Sequence, residues 1–365
     1  MRKEENKDKS FIEEVGDFVV GNSVDFVNKM LNLKDVLQYK YKPKKGYTDY
    51  EEVYRNNKLR VLNYLPNEDK KYKTPLLFVY SVINRWYIVD LMEKRSLMRF
   101  LSEQGYDVYI MDWGIPSRSD KYFGWEEYID ELLNGAVDHL REATGQDKIS
   151  LYGYCLGGTF TVIYSALYPE KVKNLLTMTT PVDFQTNGLF EKWTEEKYFD
   201  VERIHQTYGI LPPDFLESSF AIKNMSSAIW KGQTFWKLLS SGKMLTNYFA
   251  MEGWLNDNVP FVTKLWKDVI SDLYQHNKLI KGKLRIGGRA VELKKIDSSI
   301  LNIVASRDNI VPPSASLCLN DLTSSKDAHD LILNGGHIGI VAGGIAAKKL
   351  WPGLDEWLSP RSGKK

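Results

Sequence analysis

Three residues that lie far apart in this chain of 365 have the types and settings of an acyl-transfer site: Cys155, Asp308 and His337. Cys155 stands in Gly153-Tyr154-Cys155-Leu156-Gly157-Gly158, where the apolar run ISLYGY meets a helix-forming stretch. Glycine–x–nucleophile–x–glycine at such a junction holds the nucleophile on a strained strand-to-helix turn. A side chain at position 153 or 157 would collide with the neighbouring strand or helix, so Gly153 and Gly157 are required. The thiol then projects above the sheet at a helix N-terminus, where the dipole favours a thiolate. The backbone N–H of Leu156 points the same way and can bind an oxyanion. The pattern is matched with cysteine in place of the commoner serine.

A thiol of this kind needs a base and an acid from elsewhere. Asp308 lies in Ser306-Arg307-Asp308-Asn309-Ile310-Val311-Pro312, directly after the apolar run SSILNIVAS. His337 lies in Asn334-Gly335-Gly336-His337-Ile338-Gly339, after DLILN. The chain has only 5 His. The other four, His139, His205, His276 and His329, fall where packing or surface roles are expected. The order nucleophile, acid, base, with the last two on loops after late strands, is that of the α/β-hydrolase fold. A second oxyanion donor is expected after the strand 75–80, within Ser81–Arg85. The N–H of Ile83 is the first choice and that of Val82 its neighbour. Asp112 is expected to order the loop DWGIPSR, and Cys318 to be core.

The elements that must position these residues alternate between strand and helix. Strands are expected at 59–65, 75–80, 107–113, 149–154, 172–180, 298–306 and 330–334. Helices are expected at 90–104, 125–143, 157–168, 313–323 and 343–358. Such alternation implies a mostly parallel central sheet with helices on both faces. The rhythm breaks over 185–290, which holds Trp193, Trp230, Trp236, Trp254 and Trp266, five of the chain's 10 Trp. This reads as a helical cap inserted after the sixth strand region. Residues 46–184 and 291–365 form the catalytic core, and 1–45 an amphipathic helical segment. Within that segment, Phe11, Ile12, Val15, Phe18, Val19, Phe26, Val27, Met30 and Leu31 recur at helical spacing.

Composition narrows the function classes. With 49 Lys+Arg against 47 Asp+Glu, the chain has no nucleic-acid footprint. Two cysteines cannot build a disulfide scaffold and suit a reducing cytoplasm. The charged N-terminus has no signal-peptide core, and no apolar run approaches a membrane span. Metal-ligand spacings such as H-E-x-x-H are missing, as are the glycine fingerprints of nucleotide cofactors. No cofactor and no metal are expected.

Several stretches together resemble the polyhydroxyalkanoate synthases, specifically the short-chain types that work with a second, smaller subunit. They are PLLFVYSVINRWYIVDL (75–91), GYDVYIMDWGIPSR (105–118), GYCLGGT (153–159), SRDNIVPP (306–313) and GGHIGIVAG (335–343). The resemblance covers about residues 45–358, and GYCLGG is closest to the Bacillus-type class IV enzymes. It implies transfer of (R)-3-hydroxyacyl groups, chiefly 3-hydroxybutyryl, from CoA to a growing polyester. Cys155 would hold the chain as a thioester and His337 would activate the thiol. Asp308 would either orient His337 or help deprotonate the incoming hydroxyl. The CoA thioester is then substrate, not cofactor. A small accessory subunit, homodimerisation, and residence at the surface of cytoplasmic storage granules are implied as well.

The chemistry fits that implication. A thiol attacking a CoA thioester exchanges like for like, so the acyl-enzyme stays activated for transfer to a hydroxyl. Water has to be excluded, or the enzyme becomes a thioesterase. The aromatic stretch 185–290 is suited to doing so. Two other readings compete: a cysteine-nucleophile thioesterase or carboxylesterase of the same fold, and a catalytically silent protein of a granule coat. No motif identifies the residues that recognise CoA; Arg85 and Arg118 lie on active-edge loops and are candidates by that placement alone.

Overall fold

The computed structural model describes residues 24–36, 44–65, 69–186, 189–215, 235, 237–239 and 242–365. Eight strands form the central sheet: β1 (Tyr50–Asn56), β2 (Leu59–Tyr64), β3 (Leu76–Val79), β4 (Val108–Asp112), β5 (Ile149–Tyr154), β6 (Val172–Met178), β7 (Ser299–Ala305) and β8 (Ala328–Leu333). Their order is β1-β2-β4-β3-β5-β6-β7-β8. The pairs β1–β2 and β2–β4 are antiparallel, and every pair from β4 to β8 is parallel. The expected fold class holds, and the long insertion does follow the sixth strand.

Strands β3, β4 and β5 are buried along their whole length, as a sheet covered on both faces demands. One covering helix, α2 (Leu156–Leu167), follows β5 directly, after α1 (Asn134–Thr144). Its sequence LGGTFTVIYSAL is apolar all round, and all but its last residue are buried. Each fully buried Leu, Ile or Phe here removes enough surface from water to contribute about 1.5–3 kcal/mol before entropy is counted.

Two expectations need correction. The segment 90–104 is not one helix. A 3₁₀ turn (Trp86–Val89) and a short hairpin (Asp90–Met92 with Arg95–Ser96) precede a helix that begins only at Leu97. The Ser96 hydroxyl caps that helix, accepting the N–H of Arg99 at 2.9 Å. Likewise 313–323 divides at Cys318 into Pro313–Leu317 and Leu319–Leu322. Strand β1 is an addition to the expected set. As a half-exposed edge strand carrying Glu51, Glu52 and Arg55 it shows little apolar alternation.

The chain divides into two compact units, one of residues 45–216 and 257–365, the other of 1–44 and 217–256. In the smaller unit residues 24–36 are helical and leave Phe26, Val27, Met30 and Leu31 exposed. The smaller unit also holds the helix Gly242–Leu255 with buried Trp254. The positions Phe11 to Val19, and Trp230 and Trp236, lie outside the described residues. Among the described residues no helix is long and apolar enough to cross a membrane.

Candidate active site

All of the site loops leave the sheet at the carboxyl ends of parallel strands, the edge at which open α/β sheets bind ligands. Cys155 immediately follows β5 and takes φ 53° and ψ −127°, a conformation an L-residue adopts only under constraint. The constraint is visible on both sides. Its N–H continues the sheet by donating to Met178 O at 3.0 Å, while its carbonyl already accepts from Gly158 at 2.9 Å and Thr159 at 3.2 Å.

The flanking glycines leave no room for a side chain. A Cβ on Gly153 would strike the Gly158 backbone and the Thr161 hydroxyl. One on Gly157 would strike Val79 O and come within 2.6 Å of Tyr80 backbone atoms. Leu156 opens α2, so its N–H has no preceding turn to bond and is available to a ligand.

Because β7 and β8 are parallel neighbours, the loops that leave them run side by side. Ser306 N–H donates to Leu333 O and Arg307 N–H to Gly335 O, both at 2.9 Å. This places the Asp308 carboxylate against the imidazole, with Oδ2 2.6 Å from His337 Nδ1. Asp308 Oδ1 accepts the N–H groups of Ile310 at 2.8 Å and Val311 at 2.9 Å. Both oxygens are thereby engaged, and the Asp308 side chain is only 1% exposed.

Burial opposes a charged His337. The charge at Cys155, the hydrogen bonds to Asp308 and Cys155, and the Asp308 charge outweigh burial and push the imidazole up to about 10. Sulfur, imidazole and carboxylate are thus gathered in one place from positions 155, 337 and 308.

Ile83 and Val82 sit in the loop after β3, whose last residue, Val79, pairs with Gly153. That register sets the loop beside the elbow. The Ile83 N–H reaches the Ser81 hydroxyl only at 3.4 Å, the weak end of hydrogen bonding. Asp112 does order its own loop. It accepts the Gly114 N–H at 3.0 Å and pairs with Arg60 at 2.5 Å. Arg85 faces Asp257 at 3.7 Å, and Arg118 is exposed on the 3₁₀ turn Arg118–Asp120.

The remaining histidines behave as packing or surface residues. His139 stacks on Tyr54, His205 meets Thr263, His276 bonds Ser271 O and His329 bonds Asp327. Cys318 is partly buried, gives its S–H to Ala315 O at 3.6 Å, and burial pushes its thiol up to about 11.

Three tyrosines complete the surroundings, and sequence reasoning misses them. The rings of Tyr80 and Tyr154 stack with centroids 5.4 Å apart, and Tyr154 lies tilted 5.2 Å from the His337 ring. The Tyr154 hydroxyl donates to His337 O at 3.3 Å. Tyr274, at the end of the π-helix Val269–Gln275, also feels the charge of Cys155. Burial, reinforced by that charge, holds all three phenols protonated. Tyr154 could have been noticed inside the elbow motif. Tyr274 had no signal beyond being one of 21 Tyr.

The arrangement supports attack on a carbonyl by a thiolate, proton transfer through an imidazole, and oxyanion binding by backbone N–H groups. Comparison with known proteins points the same way. Residues 75–343 match the family model of the α/β hydrolase fold, and residues 27–101 match that of the poly-beta-hydroxybutyrate polymerase (PhaC) N-terminus. The chain is 38% identical over 320 residues to the poly(3-hydroxyalkanoate) polymerase subunit PhaC of Allochromatium vinosum, covering 87% of this chain and 90% of that one. It is 38% identical over 319 residues to the subunit of the same name from Haloferax mediterranei, covering 87% of this chain and 65% of the relative's length. A solved monoacylglycerol lipase from Paleococcus ferrophilus shares the fold at a TM-score of 0.52 with 18% identity, covering 80% of this chain and 98% of that one.

Proposed function

Starting from a chain that belongs to the poly(3-hydroxyalkanoate) polymerase PhaC family, and is therefore an acyltransferase, we propose that Cys155, His337 and Asp308 are its catalytic residues and (R)-3-hydroxyacyl-CoA its substrate. The observation that carries the assignment is the buried imidazole held between the Asp308 carboxylate and the sulfur of a strained elbow.

In the first half-reaction the proton of Cys155 already rests on His337, and the thiolate sulfur attacks the thioester carbonyl. The N–H groups of Leu156 and Ile83 receive the oxyanion. The carbon–sulfur bond to CoA breaks, and His337 returns the proton to the departing thiolate. In the second, a 3-hydroxyl oxygen attacks the Cys155 thioester while His337 accepts its proton. An ester bond forms and the cysteine sulfur leaves, recovering the proton from His337. Asp308 spends one oxygen on His337 and the other on two backbone N–H groups, which favours orienting the imidazole over acting on substrate directly.

Exclusion of water by the aromatic stretch 185–290 belongs to the same reading. It is supported by Tyr274 lying near enough to feel the charge of the cysteine, with the Phe184 ring edge-on to it at a centroid distance of 4.9 Å. The small accessory subunit, homodimerisation and the polyester granule surface are further parts of it. The exposed apolar residues of 24–36 would suit such docking. The thioesterase alternative is disfavoured by the family comparisons. Incubation with 3-hydroxybutyryl-CoA tests the reading: CoA release should be accompanied by polymer and turbidity. Stoichiometric free 3-hydroxybutyrate instead would contradict it.

A further inference from the structure

The loop that carries the second oxyanion donor has little backbone scaffolding of its own. Between the end of β3 and the 3₁₀ turn at Trp86, residues 81–85 form neither helix nor strand. The Ile83 N–H makes only the 3.4 Å contact to Ser81. An oxyanion donor is effective only if it is held in place before charge develops, so something else has to fix this loop.

The side chains of the loop and the adjoining turn converge on one dipeptide, Asp257-Asn258. The Tyr87 hydroxyl donates to Asp257 Oδ2 at 2.7 Å, and Arg85 Nε lies 3.7 Å from the same oxygen. Asn84 Nδ2 donates to Asn258 Oδ1 at 2.5 Å. Lys45 Nζ adds an ion pair to Asp257 Oδ2 at 2.7 Å. Val259, the next residue, lines a small cavity together with Val82, Asn84, Arg85 and Trp86.

Three of the four residues from 84 to 87 are therefore gripped by two consecutive side chains, and packing continues beneath them. The charge state suits the grip. Burial raises the Asp257 carboxyl, but Lys45, Tyr87 and Arg85 more than offset this and keep it ionised. Burial and the same carboxylate keep the Tyr87 phenol protonated and donating.

We propose that Asp257 and Asn258 are positioning residues that hold the Ser81–Arg85 loop so that its N–H can receive the oxyanion formed on the substrate carbonyl. Neither residue touches the reacting atoms. The proposal rests on the assignment of Cys155 and Ile83 above. Its signature is a loss of turnover without loss of thiol reactivity, because alkylation of Cys155 by iodoacetamide develops no carbonyl oxyanion.

The full chain is assayed for CoA release from 3-hydroxybutyryl-CoA, and in parallel for the alkylation rate of Cys155. Asp257→Ala is expected to lower kcat about tenfold or more, a part of the ~10²–10³-fold seen when an oxyanion donor is removed outright. KM should change less than about threefold, and alkylation should stay within about twofold of the unaltered protein. Asp257→Asn, which keeps an acceptor for Tyr87, should recover part of the loss. Tyr87→Phe should lower kcat less, and the Asp257→Ala/Tyr87→Phe pair should be no worse than Asp257→Ala alone, since both remove one contact.

Unchanged kcat in Asp257→Ala, or a matching fall in alkylation, overturns the proposal. If Asp257→Ala does not fold, full kcat in both Tyr87→Phe and Asn258→Ala has the same force. Cys155→Ala separates the two layers. If it still releases CoA, the site assignment itself has failed. If it does not, and Asp257→Ala is unaffected, only the positioning role has failed.

Discussion

The two cysteines of this chain both stand at the start of a helix and are both partly buried, yet they differ in backbone conformation and in the partner that faces the sulfur. Cys155 is forced to a positive φ between a buried strand and α2, and it faces an imidazole backed by a carboxylate. Cys318 lies at an ordinary helical φ of −70° between two short helices. Its S–H is spent on Ala315 O, and burial carries its thiol up to about 11. A helix N-terminus alone does not activate sulfur. Activation comes from a partner that stabilises the thiolate, held where the backbone strain of the turn aims the thiol.

The comparison can be broken by substitution. Cys155→Ser and His337→Gln should each lower CoA release by at least ~10³-fold, whereas Cys318→Ser should leave it within about twofold. Steady-state CoA release checks all three, and full activity in either of the first two would undo the contrast.

A smaller effect probes the elbow itself. Gly157→Ala drives a methyl into Val79 O and Tyr80 backbone atoms, which cannot swing aside as a side chain could. It should cost about 3 kcal/mol, read as a fall in Tm or in denaturant midpoint. Gly344→Ala, where a Cβ meets nothing within 4 Å, should be close to neutral.

The electrostatic side of the contrast has a pH signature. The folded state raises His337 to about 10 from an unfolded value near ~6.5. A raised pKa means that the protonated imidazole is favoured by folding. Its contribution is complete below pH ~6.5, declines as pH rises, and is gone once pH passes about 10. The Tm advantage of the unaltered protein over His337→Gln should therefore shrink from pH 6.5 to 10. An advantage that stays flat over that range would show that the imidazole is already neutral in the folded protein at pH ~6.5.

Much of this was legible in the sequence because the fold converts strand ends into coordinates. ISLYGY, SSILNIVAS and DLILN are apolar runs, and the first polar or glycine-rich residues after each must emerge at the same edge of a parallel sheet. That logic reached Cys155, Asp308 and His337 without any contact being known. It failed where no such rhythm exists. Strand β1 lies at the sheet edge and mixes Glu51, Glu52 and Arg55 with its aromatic residues, so its exposed side hides the period. The helix expected over 90–104 begins late because Glu93 and Lys94 make a turn and Ser96 caps the helix that starts at Leu97. Tyr274 and Asp257 come from the long insertion, where proximity to the site is decided by tertiary packing that no local pattern encodes.

The most direct test of the acyl-transfer assignment is to mix the protein with 3-hydroxybutyryl-CoA, quench within one turnover, and map the acylated peptide by mass spectrometry. The expected result is a hydroxybutyryl group on the peptide bearing Cys155, labile to hydroxylamine, and none on the peptide bearing Cys318. An acyl group found elsewhere, or rapid CoA release with Cys155 unmodified throughout, would contradict it.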